Sequence, residues 1–127
     1  MAQSQLGEAE GLLRAGRAFL FESLAAAWEV ARPRRAAQLD AARPMLWLSA
    51  TQQAATQARQ AVDIVYRAGG ASSVYASTFL ERCLRDINTA SQHITVTPTN
   101  YEVAGQLFLG AEMSRTGWGR DNRGDAF

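Results

Sequence analysis

The groups able to do chemistry crowd into one part of the 127-residue chain, between Val62 and His93. Gly69 and Gly70 are followed by Ala71, Ser72 and Ser73. Glycine lets a backbone approach a ligand closely, and the serine hydroxyls can bond a phosphate or the edge of a flavin; the same residues also make an ordinary helix stop. The run is neither the dinucleotide GxGxxG pattern nor a P-loop, since no GK[ST] follows. Arg82, Arg85 and Asp86 offer an anion site, yet Arg82 and Asp86 stand one helical turn apart, where they can simply pair at the surface. His93 is the only histidine. An imidazole titrates near neutrality and can serve as a general base, or it can be a hydrogen-bonded structural residue.

Helices must carry these groups. From about Gly7 to Ala31, apolar or small residues recur at Ala9, Leu12, Leu13, Gly16, Phe19, Leu20, Leu24, Ala27 and Val30, the spacing of a long amphipathic helix. Pro33, with Arg32, Arg34 and Arg35 around it, ends that pattern, and the arginines read as a solvated linker. A second helix is expected from about Arg43-Pro44 to Arg67, with Trp47, Thr51, Ala54, Ala58, Ala61 and Val65 on a face small enough for close approach by a neighbour. A third, from about Thr78 to Ile94, turns Leu80, Cys83, Leu84, Ile87 and Ile94 inward and sets Arg82, Asp86, Thr89 and His93 in one outward row. Thr97-Pro98 offers a cap and a first-turn proline for a short fourth helix, with Tyr101, Ala104, Leu107 and Phe108 inward and Gly110 near its end. No stretch sustains strand alternation. The expected fold is all-α, with up-down antiparallel helices over residues 1–116 and a flexible, glycine-rich tail over 117–127.

Composition narrows the function classes. With 47% hydrophobic residues the chain can bury a modest core, and 13 basic against 12 acidic residues provide no broad field for nucleic acid or an anionic membrane. One cysteine, Cys83, and one histidine cannot form an internal disulfide or a conventional Cys/His zinc set, so no metal is expected. Cys83 reads as a core thiol. No window approaches a membrane span and no secretory pattern opens the chain, which predicts a cytoplasmic protein. The tripeptide Arg123-Gly124-Asp125 therefore does not read as an adhesion signal.

The order of the pieces says more than any one of them. The run from Tyr66 to Gly110 combines the glycine pair with small polar residues, an aromatic, "LERCLRD", and "QH" followed by a proline and "YEVAG". It resembles the C-terminal helical domain of the acyl-CoA dehydrogenase superfamily, and within it the two-component flavin-dependent monooxygenases that oxidise 4-hydroxyphenylacetate, dibenzothiophene or steroid rings. The resemblance implies a helical bundle whose subunits form a tetramer. It implies FMN or FAD in the complete enzyme, delivered reduced by a partner flavin reductase, and a small aromatic or sulfur-containing substrate oxygenated with O2. It places the loop matching Gly69, Gly70, Ala71, Ser72 and Ser73 near the flavin, and the histidine matching His93 near its reactive ring as the catalytic residue.

A complete enzyme of that type is far longer. The N-terminal helical domain, the flavin-holding middle β-domain and the first helix of the bundle have no counterpart in these residues, so the chain by itself is expected to be inactive and to hold no flavin tightly. The dehydrogenase branch uses a carboxylate base, and Glu102 and Glu112 have no spacing that marks one. The alternatives are an acyl-CoA dehydrogenase C-terminal domain and a helical oligomerisation module without chemistry.

Overall fold

A computed structural model describes residues 2–31, 42–75 and 78–110, with side chains from 46 onward in the second segment and up to 29 in the first. Four α-helices and one short 3-10 turn make up most of these residues: α1 (Ala2–Ala31), α2 (Ala42–Ala68), the 3-10 turn (Gly70–Val74), α3 (Phe79–Ala90) and α4 (Thr99–Phe108). No strand occurs among the described residues, and the all-α expectation holds. The arginines at 32, 34 and 35 and the tail with its Arg-Gly-Asp lie outside the described residues, as does any test of the domain boundary at 116.

Helix α2 is the centre of the assembly. It packs against α1 along one side and against α3, α4 and the 3-10 turn on others, whereas α1 touches no other described element. At 30 and 27 residues, α1 and α2 are about 45 Å and 40 Å long at the standard rise. Gly16 of α1 faces Ala54 and Gln57 of α2, a pairing of mid-helix with mid-helix that an antiparallel hairpin produces. A Cβ on Gly16 would lie 2.7 Å from Gln57 Oε1 and 3.2 Å from the Ala54 Cα, so this glycine sets how closely the two helices approach.

The core is made of small residues. Ala9, Leu48, Ala50, Ala61, Val103 and Ala104 are buried, together with the polar Ser23, Gln52, Ser73 and Asn100. Several positions expected inward are not. Ile94 is 74% exposed and Phe108 75%, and Leu13, Phe19, Leu24 and Tyr101 are also exposed. Periodicity finds the apolar stripe of a helix, but two helices can cover only part of a stripe, and nothing among the described residues packs over the rest.

Helix α3 ends earlier than its periodicity suggests, at Ala90, and so His93 does not share a helical row with Arg82, Asp86 and Thr89. The cause is local competition for carbonyls. Asn88 Nδ2 donates to Leu84 O, Thr89 Oγ1 to Arg85 O and Ser91 Oγ to Ile87 O. Short polar side chains that bond back to the helix favour its end over its continuation. The start near Thr78 is as expected, and the structure adds that Thr78 caps α3, its hydroxyl accepting from the Glu81 amide at 3.4 Å. At α4, Pro98 occupies the cap position and makes no side-chain cap bond, so Thr97 does not cap as its type suggests.

Candidate functional site

The glycine pair resolves into two different structural uses. Gly70 adopts φ +60 with open space around its Cα, the left-handed conformation that terminates a helix and that glycine tolerates best. Gly69 is right-handed (φ −71), and its hydrogen side is occupied from within the chain: a Cβ there would overlap the Ser73 hydroxyl and lie 3.1 Å from Leu80 Cδ1. Ser73 is 1% exposed, and its Oγ has no hydrogen-bond partner. Ser72 is exposed, and its Oγ donates to Gly69 O at 2.7 Å. Of the five loop residues, Gly70, Ala71 and Ser72 thus face outward, while Gly69 and Ser73 shape the turn beneath them.

The charged residues pair along α3. Arg82 meets Asp86 and Arg85 meets Glu81, each at 3.6 Å and one turn apart. The exposed Arg82–Asp86 pair contributes a few tenths of a kcal/mol, and the Glu81 of the other pair is half-buried with its Oε2 unpartnered; each arginine faces its own acid, so the two do not present an anion site. Cys83 is half-buried on the same helix. Among the described residues no group of acids, cysteine and histidine could hold a metal ion.

His93 lies in a different place. It lines a cleft of about 820 Å³ with Leu48 of α2, Asn100 and Val103 of α4, and the Ser91–Pro98 connection between α3 and α4. Leu48, Ile94, Val96, Pro98 and Val103 supply its apolar lining, and Ser91, Gln92, His93, Thr97, Thr99 and Asn100 its polar lining. This mixture of an apolar wall and a few placed polar groups is typical of small-molecule sites.

Two residues that the sequence did not single out hold this region. The His93–Val96 segment is a tight turn, with the Val96 amide donating to His93 O at 2.8 Å. Asn100, 2% exposed, donates from Nδ2 to Thr95 O at 2.8 Å and ties that turn to α4. Thr95 in turn approaches the His93 ring from both its amide, at 3.2 Å from Nδ1, and its hydroxyl, at 2.8 Å. A histidine two residues before a threonine, with an asparagine five further on, is the only signal, and it has no generic reading in sequence.

The structure does not bring the glycine loop and His93 together. The loop follows Ala68 at the end of α2, whereas the cleft is walled by Leu48, twenty residues earlier and about 30 Å back along the helix axis. One tricyclic ring cannot touch both within this chain.

The family described as acyl-CoA dehydrogenase, C-terminal domain, matches residues 1–98. Indole-3-acetate monooxygenase of Pseudomonas putida is 31% identical over 112 residues, which is 88% of this chain and 28% of that protein. The chain therefore spans a little over a quarter of the length of that curated relative. No solved structure matches.

Proposed function

Because the chain belongs to the acyl-CoA dehydrogenase C-terminal domain family, we propose that it forms the C-terminal helical part of a flavin-dependent monooxygenase that oxygenates a small aromatic substrate. The observation that carries this reading is His93 in an apolar cleft large enough for an aromatic ring, in a chain similar to a protein named as an indole-3-acetate monooxygenase. Among the described residues that line the cleft there is no acid to serve as a carboxylate base of the dehydrogenase type.

The residues fit two separate parts of a cofactor site. The exposed Gly70, Ala71 and Ser72 permit close approach of a polar ligand segment, Gly70 having nothing within 4 Å of where a Cβ would stand. Leu48, Val96, Pro98 and Val103 give the cleft an apolar side against which a flat ring can pack, and His93 is the imidazole among its described lining residues. A flavin bound there in reduced form, FMN or FAD, would supply the electrons for oxygen activation. In this reading the loop and the cleft serve distant parts of one extended cofactor or sites on different copies of the chain, in keeping with a homo-oligomer. A flavin reductase is the expected source of reduced flavin, and cytoplasm the expected location; no described helix is long and apolar enough to cross a membrane.

Complementation tests this reading. The Pseudomonas putida relative, truncated before the segment that matches this chain, is co-expressed with it, and the copurified complex receives reduced flavin, oxygen and indole-3-acetate or a related aromatic acid. Oxygenated product that depends on the chain is the expected result. A complex that binds flavin yet releases every reducing equivalent as hydrogen peroxide overturns it, and desaturation of an acyl thioester would favour the dehydrogenase reading.

A further inference from the structure

His93 sits at the cleft, and the turn that carries it bears on which ring nitrogen holds the proton. The Thr95 main-chain amide points at Nδ1 from 3.2 Å. A backbone N–H can only donate, so the Nδ1 that receives it must present its lone pair, and the proton of the neutral ring must reside on Nε2. The Thr95 hydroxyl, 2.8 Å from the same nitrogen, is then also a donor. Asn100 holds the Thr95 carbonyl at 2.8 Å, so the peptide that aims this amide is itself anchored to α4 by a buried side chain.

We propose that Thr95 is a positioning residue that locks neutral His93 as the Nε2–H tautomer, so that the ring offers the cleft a hydrogen-bond donor and not a base. This rests on the reading of the cleft given above. A general base needs its lone pair on the atom that meets the substrate. Here the lone pair is on Nδ1 and engaged by Thr95, on the side of the ring opposite Nε2. The group that binds beside His93 is accordingly an oxygen acceptor, such as a carbonyl, carboxylate or phenolate oxygen, and a hydroxyl waiting to lose its proton is disfavoured there. The tautomer of a metal-free histidine is commonly set in this way, by the bond its other nitrogen makes.

The chain's single histidine makes the test direct, because only one imidazole spin system exists. Nitrogen-15 spectra of the full chain, taken where the ring is neutral, report which nitrogen carries the proton. A scalar coupling across the Thr95 N–H···Nδ1 bond reports the bond itself. The expected result is a pyridine-like Nδ1, a pyrrole-like Nε2 and a through-bond cross-peak from the Thr95 amide to Nδ1. Thr95→Val keeps the amide and should keep the cross-peak; Thr95→Pro lacks the amide and should lose it. A protonated Nδ1, an even mixture of tautomers, or no coupling in the wild-type chain overturns the inference, whether or not Thr95→Pro folds. Because these readouts need no flavin, failed complementation with the cross-peak intact would reject the enzymatic reading alone.

Discussion

Replacement of Gly69 by alanine separates a glycine kept for the fold from one kept for a ligand. The added Cβ would overlap the Ser73 hydroxyl and stand 3.1 Å from Leu80 Cδ1, and Ser73, being buried, has little room to withdraw. Overpacking of this kind costs about 1–3 kcal/mol. Against it, alanine in a right-handed conformation restricts the unfolded chain and returns about 0.4–1 kcal/mol. The net expectation is a loss of about 1 kcal/mol, within a range of about 0–2.6 kcal/mol. Ser73→Ala removes the overlapping atom together with a buried hydroxyl that has no partner, so alone it should be neutral or mildly stabilising. In the double variant most of the Gly69→Ala loss should disappear, giving a coupling of about 1–2 kcal/mol in a double-mutant cycle. Urea unfolding followed by circular dichroism, with the slope checked for constancy, measures all four corners. If Gly69→Ala costs the same with or without the Ser73 hydroxyl, or costs nothing, the internal-packing account is wrong and the glycine is free to serve a ligand.

Other consequences are open to measurement. Gly16→Val should destabilise the α1–α2 hairpin by about 1–3 kcal/mol, because backbone at Ala54 and the Gln57 side chain already fill the space; thermal or urea midpoints equal to wild type would contradict it. The chain should self-associate at micromolar concentration, since Leu6, Leu13, Leu24 and Trp28 share an exposed stripe of α1, Trp28 at 67%. Light scattering should find an oligomer that Leu24→Glu with Trp28→Glu reduces in mass, and a compact wild-type monomer would count against this. His93→Ala in a complemented enzyme should slow oxygenation about 10²–10³-fold, the loss expected for one hydrogen-bond donor aimed at developing charge, with reduced-flavin affinity within a few-fold, as rapid-mixing kinetics can resolve. Gly70→Ala should cost about 1–2 kcal/mol from its positive φ alone, and a neutral outcome by urea unfolding would show that the turn re-forms differently.

Much of this molecule follows from local rules that sequence exposes. Helical spacing marks the four described helices, and the Gly69–Gly70 break and the start of α3 near Thr78 fall where residue type places them, because backbone conformation at a glycine depends on the residue itself. The ordered motifs from Tyr66 to Gly110 likewise carry the family, which a match over residues 1–98 bears out. What sequence could not decide is which apolar positions find a partner. Leu13, Leu24, Ile94 and Phe108 satisfy the periodicity of a core yet remain exposed, since burial depends on whether another surface arrives. Nor could it place His93. The end of α3 at Ala90 results from three side chains competing for helix carbonyls, and the histidine's orientation results from Asn100 holding Thr95 across a turn. Those are contacts between residues whose types are individually unremarkable, and only the tertiary structure brings them together. It also holds the glycine loop and the histidine at opposite ends of α2, a separation set by the length of a rigid helix and invisible in their closeness along the chain.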